Sequence, residues 1–186
     1  FSLDGEASDA LLPGWTHART TNVDGSRTRH SLTWTDEGSG LEVRCEAVGY
    51  ADYPAVEWTV YLRNNGDGDT AIIEDIQGLD AEFRRKAEGE FLLHGIKGDF
   101  CTADSFEPFQ RPLSPSAEAR FSPPGSGKSS DGPDGWPYWN LQMPGGGVII
   151  AVGWPGQWAS TFARDEGQSL RVRAGQERTP LRLRPG

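Results

Sequence analysis

The stretch Ala55-Val56-Glu57-Trp58-Thr59-Val60-Tyr61-Leu62-Arg63 most constrains the fold. Val56, Trp58, Val60 and Leu62 occupy every second position with Glu57, Thr59, Tyr61 and Arg63 between them, the period of a half-buried β-strand and not of a helix. Leu41, Val43, Cys45 and Ala47 alternate with Glu42, Arg44 and Glu46 in the same way. Asn64-Asn65-Gly66-Asp67-Gly68-Asp69-Thr70 is rich in residues that accept positive φ, and 71–76 resumes extended sequence, so 55–76 is expected to form a hairpin. Further strands are expected over 31–35, 91–95, 120–122, 139–142, 148–152, 158–163, 170–173 and 181–184. The 24 Gly and 13 Pro among 186 residues interrupt the chain every few positions, so its extended segments are short. No window holds a helical period, and 81–90, though rich in helix formers, has too few apolar positions for more than one turn. About ten short strands separated by turn signals imply an all-β antiparallel sandwich in place of a parallel α/β sheet. The longest irregular stretches fall at 97–116 and 123–136. The length suits one domain over 1–186, with a linker expected to begin at about 174–186.

Charge narrows the partners. The formal net charge is −9, and the 18 Lys and Arg are scattered, whereas phosphate binding needs a concentrated basic footprint, so nucleic acid is not an expected partner. No run of 18 apolar residues and no signal-like leader is present, so the chain is expected to be soluble, with no membrane partner and with secretion or a periplasmic location left open. It starts at Phe1, as a processed chain or a fragment would. Cys45 and Cys101 could pair in an oxidising compartment or remain free, and Cys45 is in phase with a core face.

Aromatic residues mark the ligand class. Trp136-Pro137-Tyr138-Trp139-Asn140-Leu141 and, beyond a glycine-rich turn, Val148 to Trp158 place four of the seven Trp and one Tyr within 23 positions, beside loops of Gly, Pro and Asp. Such rings either fill a core or stack on the apolar face of a sugar, and their clustering on polar loops makes carbohydrate the ligand to test. Other motifs fail. Gly127-Lys128-Ser129 imitates the end of a phosphate loop, but Ser122 stands where its first Gly belongs and turn sequence follows. Asn65, Asp67 and Asp69 imitate a calcium loop, but Thr70 replaces its Gly and Ile76 its bidentate Glu. His17, His30 and His94 have no zinc spacing. We name no catalytic residue, metal ligand or cofactor.

Several segments resemble the amino-terminal β-sandwich of bacterial α-galactosidases of glycoside hydrolase family 36, the melibiase group. They are Glu57-Trp58-Thr59-Val60-Tyr61-Leu62-Arg63-Asn64, Ile73-Glu74-Asp75-Ile76-Gln77-Gly78-Leu79-Asp80, Leu93-His94-Gly95-Ile96-Lys97-Gly98, Gly127-Lys128-Ser129-Ser130, and Tyr138-Trp139-Asn140-Leu141 leading into 147–158. The resemblance covers roughly 55–165 in the family's order and implies a supersandwich like that of galactose mutarotase. In that family the sandwich precedes a (β/α)8 barrel carrying the two aspartates of a retaining mechanism. A barrel needs about 250 residues, so none fits here and no catalytic residue carries over. The resemblance implies a supporting role: packing against a carboxy-terminal barrel, walling its sugar pocket, and contributing to a homo-oligomer. Trp136, Tyr138 and Trp139 are the candidate sugar-binding rings, with Asp134 and Lys128 as hydroxyl partners. Residues 99–109 depart from the family pattern, so no role passes to Asp99 or Asp104.

The function expected is therefore that of a non-catalytic domain of an α-galactosidase-like glycoside hydrolase, with galactoside-type carbohydrate as ligand. A free-standing carbohydrate-binding module is the alternative. An independent sugar epimerase or lyase on the same sandwich is a third, and would need a His or carboxylate cluster on one sheet face.

Overall fold

Apolar and polar residues alternate along many segments, and in the computed structural model, which describes residues 1–125 and 128–186, the regular structure is almost wholly antiparallel strand. Contacts divide it into two compact units, Phe1–Asp75 with Thr179–Gly186, and Ile76–Arg178. Among the described residues no helix is long and apolar enough to cross a membrane.

The first unit contains β1 (Ser2–Leu3), β2 (Glu6–Ala7), β3 (Thr16–Asp24), β4 (Arg27–Thr35), β5 (Leu41–Tyr50), β6 (Val56–Asn64) and β7 (Ile73–Glu74), with one helical turn at Ser8–Leu11. β3 to β6 form a meander in chain order, while β2, β1 and β7 make a small separate sheet. The expected hairpin over 55–76 is thus corrected: β6 pairs with β5 and β7 with β1. The buried amide of Asn64 explains the departure. Its Nδ2 donates to the carbonyls of Gly68 (2.7 Å) and Leu183 (2.9 Å), and its Oδ1 accepts from the N–H of Gly66 (2.9 Å), so the 64–70 loop curls on itself and cannot return as a two-stranded turn. Of the strand expected at 181–184, a single bridge from Leu181 to Ile73 forms. Thr70 fixes the same segment, its hydroxyl accepting from the Leu183 N–H at 2.9 Å.

The second unit is a sandwich of two four-stranded sheets, built from β8 (Gln77–Arg84), β9 (Phe91–Ile96), β10 (Pro108–Leu113), β11 (Glu118–Phe121), β12 (Tyr138–Met143), β13 (Gly146–Ala151), β14 (Trp158–Arg164) and β15 (Ser169–Gln176). One sheet runs β10-β9-β12-β13, the other β11-β14-β15-β8. Alternate apolar residues of these strands enter one core containing Phe91, Leu93, Phe121, Trp139, Trp158 and Phe162. The rings interlock at centroid distances of 5.4 Å (Trp139 to Phe162), 5.5 Å (Phe121 to Trp139) and 5.6 Å (Trp139 to Trp158).

Two strands of this unit differ from expectation. β8 covers part of 81–90: Leu79, Ala81 and Phe83 face inward between exposed Asp80, Glu82 and Arg84, so the period of two overrides the helix propensity of Ala, Glu and Arg. β10 lies within the stretch expected to be irregular. Its Pro108 and Pro112 are compatible with a strand because β10 is an edge, where a missing N–H can face away from the ladder. The segment expected to start a linker at 174–186 finishes β15 and then joins the first unit. Both cysteines are free, Cys45 half-buried and Cys101 exposed. Burial, reinforced by the charge of Glu46, pushes the Cys45 thiol up.

Candidate functional site

Strand β12 starts at Tyr138, and its alternation sends Tyr138 and Asn140 outward and Trp139 and Leu141 into the core. The loop ahead of it is clipped to the loop following β9. Gly98 N–H donates to Gly132 O (3.1 Å), Asp99 N–H to Ser130 O (2.8 Å) and Gly132 N–H to Asp99 O (3.0 Å). The approach requires glycine at 98, where a Cβ would stand 2.4 Å from Ser130 O and 2.5 Å from Gly132 O.

These clips assemble three rings. Trp136 is half-buried; its ring meets Phe106 edge-on at 5.6 Å and Tyr138 at 6.2 Å with a 40° tilt. Phe106 and Tyr138 are 49% and 52% exposed, so the group presents open aromatic surface. Phe106 has φ of +64°, a conformation unfavourable for a bulky side chain. The turn around it is held by hydrogen bonds: Ser105 Oγ accepts from the N–H groups of Phe100 and Thr102 (both 3.2 Å), and Glu107 N–H donates to Asp104 O (3.3 Å).

Charge in the same loop is internally paired. Lys97 Nζ lies 2.6 Å from Glu107 and 3.0 Å from Asp104, and Thr102 Oγ1 donates to Asp104 at 2.6 Å. Glu107 first, then Asp104, holds the Lys97 ammonium above its usual range, while the Thr102 hydroxyl and then Lys97 hold Asp104 below the usual carboxylate range. Lys97 and Asp104 therefore stay charged at neutral pH, which suits bracing the loop more than exchanging protons. Among the described residues no group of three or more His, Cys, Asp or Glu is arranged to hold a metal ion.

The expected site residues separate accordingly. Trp136 and Tyr138 come together on the surface. Trp139 lies in the core at 2% exposure, against Phe121, Trp158 and Phe162, with no face open to a ligand. Asp134 and Lys128 are exposed in the loop before β12, and neither forms an ion pair among the described residues. Gly127 of the Gly-Lys-Ser stretch lies outside the described residues, while Ser129 O accepts the Trp158 indole N–H at 2.7 Å. Phe106, between Ser105 and Glu107 and 30 positions before Trp136, carries no signal of this pairing in the sequence and is brought to Trp136 by the loop clips. Nor does the sequence mark an exposed apolar patch in the first unit, where Tyr53 and Val56 at the β5–β6 turn are 68% and 59% exposed.

No protein-family model matches the chain, and no curated protein matches it in sequence. Solved structures do match in fold. The α-galactosidase AgaA of glycoside hydrolase family 36 from Geobacillus stearothermophilus superposes with a TM-score of 0.70 at 15% identity, over 92% of this chain and 26% of that one. The galactosidase domain of the α-galactosidase–sucrose kinase AgaSK gives 0.69 at 15%, over 92% and 25%, and the α-galactosidase from Lactobacillus brevis 0.69 at 12%, over 92% and 24%. AgaA variants have been solved with raffinose and with stachyose. The chain thus has the fold of about a quarter of each of these proteins.

Proposed function

We propose that these residues form a non-catalytic β-sandwich domain, of the galactose mutarotase-like kind, in an α-galactosidase-like retaining glycoside hydrolase. In this proposal the domain precedes and supports a (β/α)8 barrel, and Trp136, Tyr138 and Phe106 wall its sugar pocket with Asp134 and Lys128 nearby for hydroxyl groups. The observation that carries it is the fold match: 92% of this chain against about a quarter of family 36 α-galactosidases. The segments whose residues resemble the family run through core strands as well as loops. The Phe106–Trp136–Tyr138 group is assembled wholly within the second unit, which favours a free-standing carbohydrate-binding module as the second reading.

Two measurements on the 186-residue chain test the proposal. A chromogenic α-galactoside should not be hydrolysed, and turnover by these residues alone would sink the non-catalytic assignment. Calorimetric titration with galactose, melibiose and raffinose should show weak binding that Trp136→Ala reduces by roughly tenfold, about 1.4 kcal/mol. Absence of heat with every sugar would confine the rings to packing or to a pocket completed by other residues.

A further inference from the structure

The two outer faces of the second unit's sandwich differ in chemistry. On the β8–β15 side, Asp80, Glu82, Arg84, Arg171 and Arg173 project outward and pair along and across strands, as in Asp80–Arg171 at 2.6 Å and Arg84–Glu82 at 2.7 Å. On the opposite sheet every second residue of 92–96, 108–112, 138–142 and 147–151 faces outward, opposite in phase to core residues Leu93, Leu113, Trp139 and Ile150. None of these outward positions is Asp, Glu, Lys or Arg, although 24% of the chain is charged. Depletion of charge on one face of a polar protein marks a contact surface for an uncharged partner.

Its layout indicates the partner. Gln110, His94, Asn140 and Ile149 align across the four strands in one row, with adjacent strands about 4.8 Å apart. The His94 ring Nε2 lies 2.9 Å from Gln142 Oε1, a hydrogen bond in which the amide oxygen accepts. That row is polar across three strands, with half-buried Leu92 and Ile96 on either side of His94 along β9, and the most exposed apolar groups lie at the margin: Ile149 at 76% exposure on the β13 edge and Tyr138 at 52% at the end of β12. The side-chain amides of Gln110, Asn140 and Gln142 offer both donors and acceptors, which match hydroxyl groups that also do both. The face continues into the aromatic group through Tyr138, and 138–142 spans about 14 Å of β12, longer than one sugar ring.

We infer that this face binds a neutral oligosaccharide of several units lying along β12, one ring against Tyr138 and Trp136 and the next hydrogen-bonded to Asn140, His94 and Gln142. The assignment rests on the carbohydrate ligand proposed above and extends it from one sugar ring to a chain.

The test is calorimetric titration of the 186-residue chain with galactose, the neutral tetrasaccharide stachyose and tetragalacturonate, for wild type and for His94→Ala/Asn140→Ala. Stachyose should bind at least about tenfold tighter than galactose; the double variant should remove that advantage while leaving galactose unchanged, and tetragalacturonate should not bind. Asn140 is exposed, so Asn140→Ala alone carries the same expectation if the double variant does not fold. Equal affinity for galactose and stachyose, a length dependence that survives the substitutions, or no binding of either sugar overturns the inference. So does self-association in sedimentation that the double variant abolishes, which would make the face a contact between copies. Galactose binding that depends on Trp136 but shows no length dependence leaves the aromatic wall standing without this face. Stachyose binding that needs Asn140 but not Trp136 supports the face and removes the wall.

Discussion

Three consecutive residues have separate tasks because a strand alternates. Tyr138 and Asn140 face outward, whereas Trp139 between them is enclosed by Phe121, Trp158 and Phe162. Trp139→Ala should destabilise the second unit by about 3–5 kcal/mol, since it removes a ring packed against three others in the core. Tyr138→Ala, at a half-exposed position, should change stability by roughly 0.5 kcal/mol or less. Denaturant unfolding followed by tryptophan fluorescence checks both, and comparable losses would contradict the division. This difference was only partly legible from sequence. Clustering of Trp136, Tyr138 and Trp139 on a Gly- and Pro-rich loop pointed to carbohydrate, but separating wall from core required the phase of β12. Phe106 carried no local signal, because its partner is set by hydrogen bonds between distant loops.

At the scale of elements, alternation carried most of the information. β5 and β6, with apolar residues on one face, were legible, as were β9 and β12 to β15. β3 was not: its nine residues are all exposed, and an edge strand that buries nothing has no hydrophobic period to read. β8 was masked by helix-forming residue types, yet its register with β15 supplies a specific electrostatic pair. Arg171 Nε and the second guanidinium nitrogen contact Asp80 at 2.6 and 2.7 Å. The Arg171 hydrogen bonds lower the Asp80 pKa from its ordinary value, burial opposing, with further lowering by the charges of Arg171 and Arg173. For a depressed carboxylate the stabilisation is complete above the unfolded pKa, about 3.9, and is lost as pH falls through the folded value. Asp80→Asn should therefore lower stability at pH 7 and converge with wild type in acid, once pH has fallen through the folded value. Both partners are more than one-third exposed, so solvent screening limits the loss at pH 7 to about 1 kcal/mol or less. Chemical denaturation across this pH range measures the difference, and a gap unchanged by acid would mean that packing accounts for the effect.

At the scale of the whole molecule, the division into units has a consequence for folding. The second unit is one continuous segment, Ile76–Arg178, with both sheets and the aromatic core inside it. Its ends are joined within the unit, where Gln176 N–H donates to Ile76 O at 2.9 Å. The first unit is discontinuous: its closing segment reaches Ile73 through Leu181, and Thr70 and Asn64 through Leu183. Sequence patterning showed strands throughout but no boundary near 76, since no linker-like composition marks it. A segment covering 76–178 should therefore fold alone and unfold in one cooperative transition, with a stability in the range of about 5–15 kcal/mol usual for a domain of this size. It should retain dispersed amide resonances and the near-ultraviolet dichroism of its packed Trp residues. The complementary deletion of 179–186 should increase amide exchange around Asn64, Thr70 and Ile73 and leave the core around Trp139 protected, because the bonds through Leu181 and Leu183 belong to the first unit. Collapse of the isolated 76–178 segment into a state without fixed tertiary packing would show that the core around Trp139 depends on the rest of the chain, and would also place the aromatic group and the uncharged sheet face under the control of both units.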